Sequence, residues 1–131
     1  MITDPIADQI IRIKNAQLAF KDKVLIPYSK LKFQIALILA REGFIKSVEK
    51  KTKKTAKFIE IVLKYQNNRK PAISGIKRIS KPGRRIYIGY KDIRPSKQGF
   101  GRFIISTPKG LMIDKEAKRN KLGGEILFEI W

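Results

Sequence analysis

The chain has 131 residues, and its 30 lysines and arginines against 11 acidic residues give a formal net charge of +19. Hydrophobic residues make up 43% of the sequence, which supplies a core and excludes a disordered basic tail. Cysteine and histidine are absent, so disulfides, thiolate catalysis and histidine-based metal or acid–base chemistry are excluded. The charge favours a polyanionic partner, with nucleic acid ahead of an anionic membrane surface.

The opening segment predicts an amphipathic helix. Asp4 stands at the expected N-cap, and Pro5 occupies the first helical position, where its missing N–H is not needed. The predicted inward stripe consists of Ile6, Ala7, Ile10, Ile11, Ile13 and Leu18, and the outer face carries Arg12, Lys14, Asn15 and Gln17. An acidic, proline-containing start predicts no secretory signal. The longest apolar run, residues 35–40, is too short to span a membrane.

A strand, a second helix and two further strands follow. The strand over residues 24–26 is expected to end at Pro27, and Ser29 is expected to cap a helix that Gly43 ends. The inward positions of that helix are Leu31, Ile35, Ile38 and Leu39. The next strands are predicted over residues 44–49 and 57–65, the second with Ile59, Ile61, Leu63 and Tyr65 on one face.

The basic run over residues 50–57 is predicted to be the exposed loop of a hairpin. One interpretation is a tip that contributes only solubility. The second is a finger that reaches phosphates through lysines such as Lys53 and Lys54. A nuclear localisation signal is a weaker third interpretation, since short lysine-rich runs match by chance.

The two halves of the chain differ in their basic residues. Residues 67–72 are rich in turn formers, which predicts a linker between subdomains over residues 1–66 and 73–131. Only two of the 14 basic residues before position 67 are arginines, against seven of the 16 that follow. Because arginine makes planar bidentate contacts with phosphates and bases, we expect specific recognition in the second subdomain.

The second half predicts mostly strands. They are expected over residues 73–79, 86–90, 102–106 and 125–131, with an irregular segment over 93–101. Lys81, Pro82 and Gly83 predict a type II turn. Asp114 is expected to cap a short helix that Gly123 ends in a left-handed conformation. The sequence thus predicts an α+β fold of two small α/β subdomains, a helix–strand–helix–strand–strand unit followed by a strand-rich unit with a short helix.

The stretch Ser106-Thr107-Pro108-Lys109-Gly110 is the most informative local feature. Its hydroxyls, cation and glycine suit the reading of ribose hydroxyls and base edges, although an ordinary polar turn has the same composition. Ser106 and Lys109 also match the Ser-x-x-Lys pattern of penicillin-binding enzymes. The other elements of that catalytic site are missing, which argues against a hydrolase.

Two further features are candidates for contact with nucleic acid. Gly123, Gly124 and Glu125 predict a close backbone approach to another surface. Arg84, Arg85 and Tyr87 offer base stacking and phosphate pairing, but strand alternation requires either Tyr87 or its two isoleucine neighbours to face the core. The close acidic pairs, Asp4 with Asp8 and Asp114 with Glu116, lie in first helical turns. We interpret them as structural and expect no metal site.

These segments together resemble the bacterial small-subunit ribosomal protein eight family essentially from end to end. The motifs that carry the resemblance are Asp4-Pro5-Ile6-Ala7-Asp8, Arg12-Ile13-Lys14-Asn15, Ser29-Lys30-Leu31-Lys32, Glu42-Gly43-Phe44-Ile45, residues 78–87, residues 106–110, Asp114-Lys115-Glu116-Ala117 and Leu122-Gly123-Gly124-Glu125. Their occurrence in order over the whole length makes the resemblance highly specific. It implies two α/β subdomains, the second making most of the specific RNA contacts.

The resemblance also implies a function. The chain is expected to bind the central domain of small-subunit rRNA and to help assemble the subunit, in the cytoplasm or a plastid, without catalysis or a cofactor. The specific contacts are assigned to Ser106, Thr107, Lys109, Gly110, Gly124 and Glu125, and supporting contacts to Arg84, Arg85, Tyr87, Lys30, Lys32, Lys53 and Lys54. Neighbouring ribosomal proteins and the messenger RNA of its own operon are further implied partners. Pro108 departs from the family, which usually has a serine there.

Two other functions are open from the residues alone. The first is a free-standing basic nucleic-acid-binding module, and the second is a histidine-free hydrolase that uses Ser106 and Lys109. The ordered motifs favour the ribosomal protein over both.

Overall fold

The computed structural model describes residues 4–131, which form two compact units. The first unit comprises residues 5–73, and the second comprises residues 74–131 together with Asp4. Both contain antiparallel sheets and helices, so the predicted α+β class is confirmed. Residues 1–3, which begin the predicted first subdomain, lie outside the described part of the chain. No helix among the described residues is long and apolar enough to span a membrane.

Two helices and a three-stranded sheet build the first unit. Its elements are α1 (Pro5–Leu18), β1 (Lys23–Pro27), α2 (Lys30–Arg41), β2 (Ile45–Lys53) and β3 (Ala56–Leu63). The sheet is antiparallel in the order β1-β3-β2, and both helices pack against it. Alternation along β3 buries Ile59, Ile61 and Leu63, as predicted. The Ser29 hydroxyl accepts a hydrogen bond from the Lys32 N–H at 3.1 Å, which confirms the predicted cap of α2.

The buried face of α1 differs from the prediction at three positions. Ile11 and Leu18 are 54% and 79% exposed, whereas Gln17, predicted to face outward, is buried. The buried face is centred on Ile6, Ile10 and Ile13, so Ile11, about 100° further round the helix, lies outside it. A second glutamine, Gln9, is buried because its amide donates to the Lys32 carbonyl at 3.0 Å.

The predicted basic loop is mostly strand. β2 continues to Lys53, which pairs with Ala56, so only Lys54 and Thr55 form the turn. Lys54 takes a left-handed conformation with φ 58°. The prediction of an eight-residue loop was wrong because pairing with β3 outweighs the low strand propensity of lysine. Residues 66–70, which overlap the predicted linker over residues 67–72, form a turn in which the Gln66 N–H donates to the Lys70 carbonyl.

The second unit is a five-stranded antiparallel sheet with one short α-helix. Its elements are β4 (Ile76–Arg78), β5 (Tyr87–Ile88), β6 (Arg102–Thr107), β7 (Gly110–Ile113), α3 (Asp114–Arg119) and β8 (Gly124–Ile130), with 3-10 turns over Tyr90–Asp92 and Ser96–Gly99. The strand order is β4-β8-β6-β7, and β5 also pairs with the start of β8. A core of Ile93, Ile105, Ala117 and Ile126 lies between α3 and the sheet.

Several predicted details of the second unit are corrected. β4 and β5 are much shorter than expected, and β7 was not predicted. Helix α3 begins at Asp114 and has Ile113 as its N-cap, so Asp114 is not the cap. Lys121 takes the left-handed position after α3, with φ 56°, in place of Gly123. The predicted turn at Lys81 is confirmed, with Gly83 at φ +83°.

Candidate nucleic-acid interface

Pairing along β8 brings the predicted recognition residues of the second unit to one end of its sheet. Glu125, at the start of β8, lies opposite Ser106 of β6 on one side and Tyr87 of β5 on the other. Gly124 lies opposite Ile88 on the β5 side. We call this end of the sheet the recognition edge, and it comprises Arg84, Arg85, Tyr87, residues 106–110, Gly124 and Glu125.

The predicted loop over residues 106–110 is the tight tip of the β6–β7 hairpin. Thr107 pairs with Gly110, so Pro108 and Lys109 form the turn. The buried Thr107 hydroxyl donates to the Gly110 carbonyl at 2.7 Å and accepts from the Lys109 N–H at 3.2 Å. Because this hydroxyl is used within the turn, Thr107 shapes the tip, whereas the family resemblance assigns it a specific contact with RNA. Neither bond involves the backbone nitrogen of Pro108, so proline fits the turn.

Ser106, Lys109 and Gly110 form the accessible part of the tip. Ser106 is partly buried, while Lys109 and Gly110 are exposed. Gly110 has φ +116°, a backbone conformation that L side chains rarely adopt. The tip therefore presents a hydroxyl, an ammonium group and bare backbone within five residues.

The paired glycines permit a close strand contact, as predicted. A Cβ on Gly124 would lie 2.0 Å from the Ser106 carbonyl oxygen, and one on Gly123 would lie 2.4 Å from the Ile88 carbonyl oxygen. Both neighbours are backbone atoms, which cannot move aside as a side chain does. Close packing of the backbone at these two positions therefore requires glycine.

Arg85 and Tyr87 lie beside this contact, and Arg84, at the end of the preceding turn, is exposed. Ile86 and Ile88 pack against the core, and Tyr87 is 69% exposed, which settles the strand alternation in favour of an outward tyrosine. Arg85 forms an ion pair with Glu125 at 3.2 Å. Glu125 thus balances and orients a guanidinium of the same surface.

The basic residues proposed in the first unit are not equivalent. Lys53 and Lys54 are exposed at the β2–β3 hairpin, and Lys30 is exposed at the start of α2. Lys32 is buried, and its Nζ lies 3.8 Å from an Asp8 carboxylate oxygen. Its charge is therefore turned towards the protein.

Sequence reasoning missed a basic groove in the first unit, with a volume of about 630 Å³. Its charged lining consists of Arg12, Lys21, Lys23, Lys53 and Glu60. Lys21 and Lys23 stand two residues apart at the start of β1. In an extended chain such residues share a side, which is the signal that could have found them.

Asp114 is a buried acid of the second unit whose pKa is shifted. Burial raises the pKa of its carboxyl, while backbone N–H groups of Lys115 and Phe103 and the charge of Arg102 act in the opposite direction. Among the described residues there is no group of three or more acidic side chains placed to hold a metal ion. Asp114 is the first residue of α3 and is buried within the unit.

Comparison with known proteins gives one consistent result. A family model described as ribosomal protein S8 matches residues 4–131. The small ribosomal subunit protein uS8 of Persephonella marina is 49% identical over 136 aligned positions that cover 100% of both chains. The uS8 proteins of Caldanaerobacter subterraneus subsp. tengcongensis and Sorangium cellulosum are 48% and 46% identical, with 100% of this chain and 99% and 100% of theirs covered.

These matches confirm the family resemblance and overturn the two other functions, the free-standing module and the hydrolase. The relatives are bacterial, and each matches this chain over its full length. The chain belongs to the ribosomal protein S8 family, whose members are structural, non-enzymatic constituents of the small ribosomal subunit in the cytoplasm.

Proposed function

We propose that the chain binds the central domain of small-subunit rRNA and helps to assemble the small subunit. The observation that carries this proposal is the recognition edge, where a hydroxyl, bare backbone, a tyrosine and two arginines meet at one end of a sheet. Irregular RNA exposes ribose hydroxyls and base edges to such groups. A net charge of +19 supplies the accompanying attraction to phosphates.

Each group at the recognition edge has a distinct role in the proposed contact. The Ser106 hydroxyl and the backbone at Gly110 approach ribose and base edges, and Lys109 pairs with a phosphate. The exposed ring of Tyr87 stacks on an unpaired base. Thr107 and Gly124 act indirectly, because they fix the positions of the tip and of β8.

The first unit contributes sequence-independent attraction in this proposal. Lys30, Lys53 and Lys54 are exposed and carry flexible ammonium groups, which pair with phosphates as point charges. Lys32 is left out of the contact set because it faces Asp8. The proposed further partners are neighbouring small-subunit proteins and, as the family resemblance implies, the messenger RNA of its own operon.

The decisive experiment compares two transcripts of equal length by filter binding at physiological salt. One is the central domain of bacterial small-subunit rRNA, and the other is a different domain of the same rRNA. We expect the chain to prefer the central domain at least ~100-fold. Ser106→Ala with Lys109→Ala should reduce this preference about 10- to 100-fold.

A matched variant controls for the loss of one hydroxyl and one charge. Ser74 and Lys77 are exposed, and they lie beside the opposite end of β8, where Ile76 pairs with Ile130. The double variant Ser74→Ala, Lys77→Ala should keep the preference. Equal loss in both double variants, or equal binding of the two transcripts by the unmodified chain, would contradict the proposal.

A further inference from the structure

A cleft of about 400 Å³ in the first unit lies outside the contacts proposed above. It is lined by Phe20, Asn68, Arg69, Lys70 and Pro71. The Phe20 ring is 53% exposed, and the Arg69 guanidinium lies over it at 5.6 Å from its centroid. The cleft thus combines an exposed aromatic ring with two cations and a volume in the range of small-ligand sites.

Phe20 holds its ring in the cleft at a conformational cost. The Phe20 N–H donates to the Gln17 carbonyl and the Lys21 N–H to the Ala16 carbonyl, which is the Schellman arrangement that ends α1. Phe20 occupies the left-handed position of this motif, with φ 53°. At the end of α2 the same position is held by Gly43, the residue that suits it.

Arg69 is held in the same way on the other side of the cleft. It lies in the turn over residues 66–70, and its φ of 63° is also left-handed. Asn68 is fixed by its Oδ1, which accepts from the Lys70 N–H at 3.2 Å. Two bulky residues in conformations that favour glycine therefore line one exposed cleft, where the Arg69 guanidinium lies over the Phe20 ring and the Tyr65 ring lies 6.4 Å from it between centroids.

The cleft adjoins the basic groove of the first unit. Ala19 and Lys21 line the groove, and Phe20, which stands between them in the chain, lines the cleft. The groove has four cationic side chains against the single carboxylate of Glu60. A basic channel beside an aromatic ring is the arrangement that holds single-stranded nucleic acid, with phosphates in the channel and a base on the ring.

We infer that the first unit has a binding site for an unpaired nucleotide of RNA, whose base stacks on Phe20 beside Arg69 while its phosphates follow the groove at Lys21. This inference rests on the proposed function for the class of partner. It adds a second kind of contact, because the recognition edge belongs to the other unit. The experiment tests whether a base binds at the cleft, separately from the attraction of the phosphates.

The test compares two single-stranded heptamers by fluorescence anisotropy on the full chain at physiological salt. One is heptauridylate, and the other has an abasic central nucleotide with the same number of phosphates. Because phosphate attraction is equal for both, the ratio of their dissociation constants isolates the contribution of the base. We expect the complete heptamer to bind about 5- to 50-fold more tightly.

Phe20→Asn is the informative variant. Asparagine tolerates the left-handed conformation better than phenylalanine, so the change removes the ring without breaking the end of α1. We expect the two heptamers to bind this variant equally. Phe100→Ala is the matched control, because it removes an aromatic ring that is 84% exposed in the second unit, and it should leave the ratio unchanged.

The role of Arg69 is tested by a second matched pair. Arg69→Asn should lower the ratio of the two dissociation constants at least threefold. Lys54→Asn removes one positive charge at another exposed left-handed position of the same unit, and it should weaken both heptamers equally. This pair separates base recognition from the loss of charge.

Three outcomes would overturn the inference. They are equal binding of the two heptamers by the unmodified chain, a ratio that survives Phe20→Asn, and a ratio lost equally in Phe100→Ala. The last two would mean that the base contact does not depend on the cleft. None of them depends on the preference for the central-domain transcript, so failure here and failure of the proposed function are distinguishable.

Discussion

The two units offer different kinds of contact to a polyanion. In the first, the exposed hairpin of β2 and β3 carries Lys53 and Lys54 on a two-residue turn, where flexible ammonium groups are free to follow a phosphate. In the second, the recognition edge is built on contacts of backbone with backbone at Gly124 and on a hydroxyl bonded within its own turn at Thr107. The first surface offers charges on flexible side chains, and the second offers atoms held in place by packing.

This difference teaches that net charge and selectivity have separate origins in the molecule. Lysine attraction is similar for every RNA, because all RNAs carry the same phosphates. Discrimination requires atoms held in place to within a fraction of an ångström, which close strand packing supplies. Changes to Gly124 and Thr107, which fix the recognition edge, should therefore affect folding and selectivity together, and changes at the exposed hairpin lysines Lys53 and Lys54 should affect neither.

The largest effect is expected from Gly124→Ala. The added Cβ would lie 2.0 Å from the Ser106 carbonyl oxygen, so β6 and β8 must move apart. We expect the free energy of unfolding, measured by urea denaturation, to fall by about 3 kcal/mol. Gly89→Ala is the control, since its nearest neighbour would be an Asp92 carboxylate oxygen at 3.9 Å, and it should stay within about 0.5 kcal/mol. Equal stability of both variants would contradict the close contact.

A smaller effect on stability is expected from Thr107→Val. The change removes the bonds to the Gly110 carbonyl and the Lys109 N–H, so unfolding free energy should fall by about 1–2 kcal/mol. Selectivity between the two rRNA transcripts should fall with it. Ser106→Ala should reduce selectivity alone, because within the described residues the Ser106 hydroxyl has no side-chain hydrogen bond. A stable, fully selective Thr107→Val would show that its hydroxyl does not shape the tip.

Neutralising the first unit's hairpin should leave folding unchanged. Lys53→Gln with Lys54→Gln removes two exposed charges, so the slope of log affinity against log salt should become shallower by about 1.4–1.8. Both transcripts should weaken by the same factor, measured by a salt titration of filter binding. A change in the ratio of the two affinities would mean that the hairpin also selects RNA, and the division between the units would fail.

Sequence patterns predicted the elements that obey local rules. The cap at Ser29, the end of α2 at Gly43 and the alternation that buries Ile59 all follow from the conformational preferences of single residues or from strand periodicity. The close approach at Gly124 was predicted for the same reason, since two consecutive glycines serve few other purposes.

The remaining features depend on pairing between distant segments. β2 extends through its lysines because β3 supplies hydrogen-bond partners, and β7 exists because Thr107 turns the chain back on β6. No local pattern shows that Gln9 is buried, because its partner carbonyl belongs to Lys32, 23 residues further on. The cleft at Phe20 escaped prediction for the same reason, since its other wall is the turn at Arg69.

The smallest expected effect is a dependence of stability on pH that comes from Asp114 in the second unit. Burial raises the pKa of its carboxyl above its ordinary value of 3.8, so the folded chain holds this proton more tightly than the unfolded chain. Its contribution to stability is therefore complete below pH 3.8 and is lost as the pH rises through the raised pKa. We expect the unfolding free energy of Asp114→Asn, minus that of the unmodified chain, to increase with pH from 3.8 and then level off.

Urea denaturation of both proteins between pH 3 and 7 measures this difference, and the subtraction cancels every carboxyl that the two proteins share. A difference that stays constant or falls with pH would mean that the backbone N–H groups of Lys115 and Phe103 outweigh burial. The second unit would then hold a stabilised anion under α3. Charge would then contribute to the stability of the second unit, which carries the recognition edge. The contrast with the lysine surface of the first unit would be weaker than the close packing at Gly124 implies.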